Sequence, residues 1–502
     1  RKKHFFPELP DPVISDSLGR VALELRSKHI TLSQSFVEEA AKHLPVEEVI
    51  EALLDHGVAH YTYCPWDFHT HLSLYQEAKK VLADKELARK STDCFMDVVA
   101  DTHCFREKDT PIPDLYRHME RGILEEAIHA LYQRIWGTDL NVRGNEEISR
   151  RLSRIFYLDR RRWSDSIHRF SIIIQPLLEL DRQFSSSENS NSMGENNFGN
   201  YSYEEVDQGL KEFAMSSGGP GEFKEVVEDF KDELKEMGYE GHGKIGLGIG
   251  ASVDADVLYY MKIAENYSLP IRKTTVEKSG FLYPFGHSPW ELGKPFRDID
   301  PWTSFGKVMP GITQVWERKD GDFCGEDEGT PNCIIMIDSS GSMTNPSQQL
   351  SYAVLGAACA SDAYLSNDAS VAVFNFSDAN ANSQRILDYT RDRTEIYNTI
   401  CHYFGGGTKL DFKDIESLQG PSRPDIFIIT DMLITNLDAL ISYFNGLDNR
   451  VTAVHTGENE RVRQFKKSLG DRKNVSIYSV QEKKDIPRIV LGKITEYFGS
   501  AS

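Results

Sequence analysis

The chain has 502 residues, 40% hydrophobic and 27% charged, and its 77 acidic and 57 basic side chains leave a formal net charge of -20. That length exceeds what a single core supports and predicts two to four domains. The acidic balance excludes a general nucleic-acid binder, which needs a basic footprint, and suits a protein that attracts divalent cations or basic partners.

The opening segment, RKKHFFPELPDPV, is basic but has no apolar core or small-residue cleavage site, so no secretory signal is expected there. Residues 1–184 read as a helical domain, with apolar positions at three-and-four spacing in VEEVIEALLDHGVAHYTY, in LYQEAKKVLADKELARKSTDCFMDVVADTHCF and in EEAIHALYQRIW. Its most apolar run, Phe170 to Leu180, is broken by Gln175 and Pro176 and falls short of the roughly 18 residues of a membrane span. The arginines Arg150, Arg151, Arg154, Arg160, Arg161 and Arg162 could meet an acidic partner, although a solvated helix face is the simpler reading. Residues 185–200, rich in Ser and Asn, read as a flexible linker.

Residues 201–328 read as a connector. It holds an acidic helix from Glu222 to Met237, the glycine-rich GHGKIGLGIG, a helix near Asp256 to Tyr267, and a Pro, Gly and Trp-rich passage expected to wrap its neighbours. GHGKIG matches G-x-G-x-x-G in form, but no strand precedes it, so a dinucleotide site is not expected. The chain has no G-x-x-x-x-G-K-[ST], so ATP-driven work would fall to another chain.

From residue 329 to 502, short β-rich runs alternate with helical patterns: CIIMI, a helix over 348–365, SVAVFNF, RILDY, the helix EIYNTICHYF, DIFIIT, the helix LDALISYFNG, VTAVHT, NVSIYSV and the helix PRIVLGKITEYF. This predicts an α/β doubly wound, Rossmann-like parallel sheet with its site at the strand carboxyl ends. The expected fold is therefore multi-domain, an α-helical N-terminal domain followed by the α/β domain. Seven scattered cysteines with no C-x-x-C pair suggest reduced thiols in a cytoplasmic protein.

The apolar strand Cys333–Ile337 runs into Asp338, Ser340 and Ser342, a D-x-S-x-S loop whose oxygens can converge on one hard cation. Thr408 follows the glycine run Gly405 to Gly407, and Asp431 closes IFIIT. Together these residues resemble the metal-ion-dependent adhesion site (MIDAS) of von Willebrand factor A (vWA) domains. The resemblance covers about a third of the chain. It implies that Ser340, Ser342 and Thr408 bind Mg²⁺ directly, that Asp338 and Asp431 act mostly through water, and that a carboxylate of a protein partner fills the open position. Met432 stands where the family often has glycine.

A second motif lies in the helical domain. His56 and His60, one turn apart, can chelate one zinc ion, and Asp97 and Asp101 repeat that spacing on a later helix. The set is similar to a zincin metallopeptidase, which implies a third, acidic ligand and a carboxylate orienting a histidine. Zincins carry a glutamate as general base after the first histidine; here that position is Gly57. Asp55 is a weak substitute, and His69, His71, His103 and Cys64 offer other ligand sets.

The layout, a helical domain before a C-terminal A domain, resembles the partners of MoxR-type AAA+ ATPases. The expectation is a Mg²⁺-dependent adaptor or co-chaperone working with a separate AAA+ ATPase, with a zinc-dependent peptidase targeted by its vWA domain as the alternative.

Overall fold

The computed structural model describes residues 12–15, 21–24, 29–184, 201–236, 254–271, 274–277, 282–291, 299–300, 302–304, 308–320, 326–378, 383–419, 423–489 and 491. The linker 185–200, the glycine-rich 241–250, Cys324 and most of the C-terminal helical pattern lie outside the described residues. The chain divides into two compact units, Arg1–Asn266 with Asn345–Leu350, and Tyr267–Thr344 with Ser351–Ser502.

The first unit begins with β1 (Val13–Ser15), β2 (Val21–Glu24) and β3 (His29–Ser33), in the order β1-β3-β2. These short strands carry too little apolar alternation to read from sequence. Helices follow: α1 (Gln34–Ala40), α2 (Val46–Thr62), α3 (Phe68–Lys79), α4 (Lys85–Glu107), α5 (Ile112–His118), α6 (Ile123–Trp136), α7 (Glu146–Leu152), α8 (Trp163–Phe184), α9 (Tyr203–Ser216), α10 (Pro220–Asp229), α11 (Lys231–Glu236) and α12 (Ala255–Ala264).

On α2 burial begins as a stripe through Val49, Ala52 and Leu53 and becomes continuous from Asp55 to His60, and the i, i+4 spacing puts both histidines on one face of this buried half. Full burial of a side chain such as Val49 or Leu53 contributes about 1.5–3 kcal/mol. After α2 the chain turns at Cys64–Pro65–Trp66, and the Asp67 carboxylate caps α3 by accepting from Thr70 N at 2.6 Å. Asp84 caps α4 in the same way, accepting from Leu87 N at 3.0 Å, which breaks the long pattern 74–105 into two helices.

The second unit opens with β4 (Thr274–Glu277), β5 (Leu282–Pro289), β6 (Gln314–Asp320) and β7 (Glu326–Gly329). β4 pairs with β7 and β5 with β6, so part of the passage expected to be an extended wrap is paired strand. Next come β8 (Cys333–Asp338), α13 (Tyr352–Leu365), β9 (Val371–Phe376), β10 (Gln384–Thr390), α14 (Arg393–Ile400), α15 (Phe412–Gln419), β11 (Asp425–Thr430), α16 (Leu437–Gly446), β12 (Val451–His455), α17 (Glu460–Leu469) and β13 (Val475–Ser479). They form one six-stranded sheet, β10-β9-β8-β11-β12-β13.

Five of these strands are parallel, and β8, β9, β11 and β12 are buried along their whole length, as expected of strands covered on both faces. One face packs against α16 and α17 through Ile334, Met336, Ile426 and Ile428 with Leu440, Phe444 and Phe465. On α13, a Cβ at Gly356 would stand 2.9 Å from Ile429 Cδ1, so a larger residue there would require the end of that side chain to shift.

The sheet is not wholly parallel, which corrects the sequence expectation. β10 runs antiparallel to β9. The connection between Phe376 and Gln384 is too short for a crossover, which needs a dozen or so residues. The helix expected over 348–365 starts at Tyr352 because Ser351 caps it, accepting from Val354 N at 3.3 Å. The one expected through Phe404 stops at Ile400, where Asn375 Nδ2 donates to the carbonyls of Thr399 and His402, both at 2.7 Å. Among the described residues no helix is long and apolar enough to cross a membrane. The six described cysteines are all free.

Candidate functional site

From β8 the chain crosses to β9 on one side, while β11 pairs with β8 on the other, so the carboxyl ends of β8 and β11 flank the point where strand order reverses. Crevices of this kind are the usual ligand sites of open α/β sheets. Asp338 is the last residue of β8, and Asp431 follows the last residue of β11.

Asp338 is 3% exposed and accepts from Ser340 N at 2.9 Å and from Thr430 Oγ1 at 2.5 Å. Ser340 Oγ and Ser342 Oγ are 3.2 Å apart, with Ser340 buried and Ser342 exposed. The glycine run docks on this loop by two backbone bonds, Gly405 N to Ser339 O and Gly341 N to Gly406 O, each 2.9 Å. Ser377 Oγ grips the same run through the carbonyls of Gly405 (2.5 Å) and Gly407 (2.8 Å). Thr408 comes directly after, its carbonyl accepting from Thr435 N at 2.8 Å. Asp431 accepts from Leu433 N at 2.9 Å, and its carbonyl accepts from Asn459 Nδ2 at 2.8 Å.

Burial disfavours the charged form of Asp338. Burial pushes the Asp338 carboxyl up to about 6, and the charge of Asp431 adds to this, against the hydrogen bonds from Thr430 and Ser340 that pull it down. A divalent ion beside two buried carboxylates would offset that repulsion, and hydroxyl and carboxylate oxygens are the donors Mg²⁺ takes.

Close packing holds the loops together. A Cβ on Gly341 would lie 3.1 Å from Gly406 O and 3.2 Å from Gly406 N, both backbone atoms. Gly341→Ala is therefore expected to push the glycine run and Thr408 outward, costing about 1–3 kcal/mol in urea unfolding and weakening Mg²⁺ binding in calorimetry. Met432 has φ 63° and is fully buried. An L side chain pays about 1–2 kcal/mol in that left-handed region, which is the physical reason for a glycine preference there; here the side chain gains core packing instead.

The second cluster lies in the helical unit. His56 and His60 on α2 and Asp97 on α4 bring one ligand atom each within 4.8 Å of one another. His60 Nε2 stands 3.1 Å from Asp97 Oδ1. Ligand atoms around a tetrahedral ion with bonds of ~2.0–2.1 Å lie about 3.3–3.4 Å apart, close to this His60–Asp97 separation. The three residues are 1%, 4% and 8% exposed.

Each imidazole is oriented from behind. His56 Nδ1 is 2.8 Å from Asp101 Oδ1, and His60 Nδ1 donates to Cys64 O at 2.8 Å. A carbonyl can only accept, so the His60 proton sits on Nδ1 and Nε2 presents its lone pair; the Asp101 carboxylate fixes His56 in the same tautomer. His56 Nε2, His60 Nε2 and Asp97 Oδ1 are then buried with no hydrogen-bond partner. Three such atoms turned on one point fit a bound metal, because orphaned buried polar groups otherwise cost about 1–3 kcal/mol each. Burial disfavours the His56 imidazolium, but the charge and hydrogen bond of Asp101, with Asp97, outweigh it and raise the His56 pKa. Burial likewise opposes ionisation of Asp101, yet His56 and the Tyr116 hydroxyl bring its pKa below the ordinary carboxylate value.

Asp101 thus stands behind His56 and not among the three ligand atoms. The other sequence candidates are placed elsewhere. His69 meets Ser216 Oγ at 3.1 Å, His103 stacks on Tyr63, and Cys64 contributes its carbonyl. The six arginines are exposed; the Arg160 guanidinium lies 3.5 Å over the Trp66 ring and that of Arg162 4.3 Å over Phe156. At Gly57 a Cβ would make ordinary contact with Ile30 of β3, its nearest atom Cδ1 at 3.4 Å.

His71 on α3 is buried with Nδ1 3.0 Å from Tyr201 Oη. Burial, with the charge of Arg89, drops its pKa to about 3. The unfolded chain, where it titrates near 6.5, binds the extra proton first, so stability is full above about 6.5 and lost as pH falls toward 3. Urea unfolding at pH 7, 6 and 5 is expected to show up to about 1.4 kcal/mol lost per unit from this group, a slope reduced in His71→Phe.

No protein-family model matches the chain, and no curated protein matches it. Among solved structures, the crystal structure of the SpRpn10 vWA domain aligns with 16% identity over 32% of this chain and 93% of that one, at a TM-score of 0.25. A likeness at that TM-score carries no argument, so the residues themselves bear the reading.

Proposed function

We propose that this chain is a Mg²⁺-dependent protein-binding adaptor whose α/β module spans residues 329–502. The observation that carries the reading is the placement of Asp338, Ser340, Ser342, Thr408 and Asp431 on loops at the switch point of the sheet, two carboxylates buried and Ser342 at the open edge. Mg²⁺ keeps part of its coordination free when bound by so few protein oxygens, and an Asp or Glu carboxylate from a partner would complete it. By a separate resemblance of overall layout, the helical domain ahead of the module suits a partner of a MoxR-type AAA+ ATPase, which would supply the ATP-driven step.

In this reading the helical unit carries a second, transition-metal centre at His56, His60 and Asp97. Zn²⁺ suits its two imidazoles and one carboxylate. A zinc peptidase has less support, because Gly57 offers no base and the ligand residues are too deeply buried for a polypeptide to reach in the described structure.

The test is affinity capture on immobilised wild-type and Asp338→Ala protein, each with Mg²⁺ and with chelator. Partners held only by wild type in Mg²⁺ are expected; the same partners on all four columns would sink the proposal.

A further inference from the structure

We infer that Asp101, held by Tyr116 and Tyr132, is a positioning residue that ties occupancy of the His56–His60–Asp97 centre to the seating of α5 and α6. The inference rests on the metal reading of that centre. Asp101 is fully buried, and a carboxylate in such a place costs several kcal/mol unless its oxygens are satisfied. Its partners come from three different helices. Oδ1 accepts from His56 Nδ1–H at 2.8 Å, and Oδ2 accepts from the hydroxyls of Tyr116 on α5 and of Tyr132 on α6, the latter at 3.1 Å.

The two phenol rings also stack on each other, centroids 5.3 Å apart and 11° from parallel, and Tyr132 stacks on Trp136 at 4.2 Å. Trp136 Nε1 donates in turn to Thr102 Oγ1 on α4 at 3.3 Å. One turn of α4 therefore presents Asp97 as ligand and Asp101 as the point where α5 and α6 attach. A cation on His56 Nε2 draws electron density from the ring and makes Nδ1–H a stronger donor to Asp101. In the orientation that accepts from Nδ1–H, the carboxylate also accepts from both phenols, so a stronger Nδ1–H bond favours the arrangement that holds them. Coupling of this kind is reciprocal: seating the phenols must tighten the metal by the same factor that the metal tightens the helices.

Three readouts test this on the full chain: Zn²⁺ affinity by competition with a chromophoric chelator, the visible absorption of bound Co²⁺, and amide hydrogen exchange across residues 112–136 with and without Zn²⁺. In Asp101→Asn and in Tyr116→Phe/Tyr132→Phe we expect affinity to fall about 10–100-fold at unchanged stoichiometry. The Co²⁺ spectrum should shift, and zinc-induced protection of α5 and α6 should disappear. A purely structural role would lower stability without moving the spectrum. If the double variant does not fold, Tyr132→Phe alone, which deletes one hydroxyl, decides: weaker zinc supports the coupling and unchanged zinc overturns it. Wild-type affinity, spectrum and protection in these variants, with one zinc bound to the parent chain, would overturn the coupling alone. A parent chain that takes up no zinc would overturn the metal reading with it.

Discussion

Wild-type protein purified without chelators is expected to carry about one zinc per chain, and the His56→Ala/His60→Ala double variant none. The variant removes two of the three atoms that meet within 4.8 Å, leaving Asp97 alone, and one carboxylate does not hold a transition metal at ordinary concentrations. The stake is large, since structural zinc supplies about 10–16 kcal/mol of apparent binding energy in small zinc-dependent folds. Because the two alanines also open space in the core stripe of α2, Asp97→Asn is the companion variant: it keeps the shape and removes the charge. Elemental analysis and the thermal midpoint with and without chelator are the measurements. Full zinc in both variants, or none in wild type after loading with excess metal, would show that the three orphaned atoms are not a ligand set.

Asp338→Ala is expected to abolish Mg²⁺ binding by the α/β module, measured by calorimetry or by the electron paramagnetic resonance of Mn²⁺ in its place, while the circular dichroism stays native. The charge lost is the more deeply buried of the two carboxylates, held by Ser340 N and Thr430 Oγ1. pH adds a second signature. With the folded carboxyl raised to about 6 from 3.8, the metal-free fold binds the proton more tightly than the unfolded chain does. Its contribution to stability is therefore present below about 4 and lost as pH rises through 6, roughly 1.4 kcal/mol per unit. Mg²⁺ competes with the same proton, so its affinity should fall about tenfold per unit below pH 6. A pH-independent affinity would remove Asp338 from the site.

How much of this was legible depended on whether the information was local. Asp338, Ser340 and Ser342 were legible because an apolar strand ends in them, and Asp431 because IFIIT ends in it. Thr430, Ser377 and Asn375, which hold that loop in place, were not: a threonine or asparagine inside a strand carries no mark of the distant partner it bonds. In the helical unit the i, i+4 histidines announced a shared face. The division of labour between Asp97 and Asp101, identical in type and spacing pattern, needed the three-dimensional positions. Tyr116 and Tyr132 read as ordinary core aromatics, and the carbonyl of Cys64 has no sequence signature at all. The antiparallel β10 was readable in hindsight from the short connection after Phe376, which leaves no room for a helix.

The depth of the His56–His60–Asp97 group also bears on how an ion gets in and out. With its three residues at most 8% exposed, a zinc ion held there as proposed would exchange with solvent only through a local opening of α2 or α4. Once closed, the centre would record the metals present while the chain folded, not those in the buffer afterwards. Two preparations of identical sequence, expressed in zinc-rich and zinc-poor medium, could then behave as different proteins for as long as the helices stay shut.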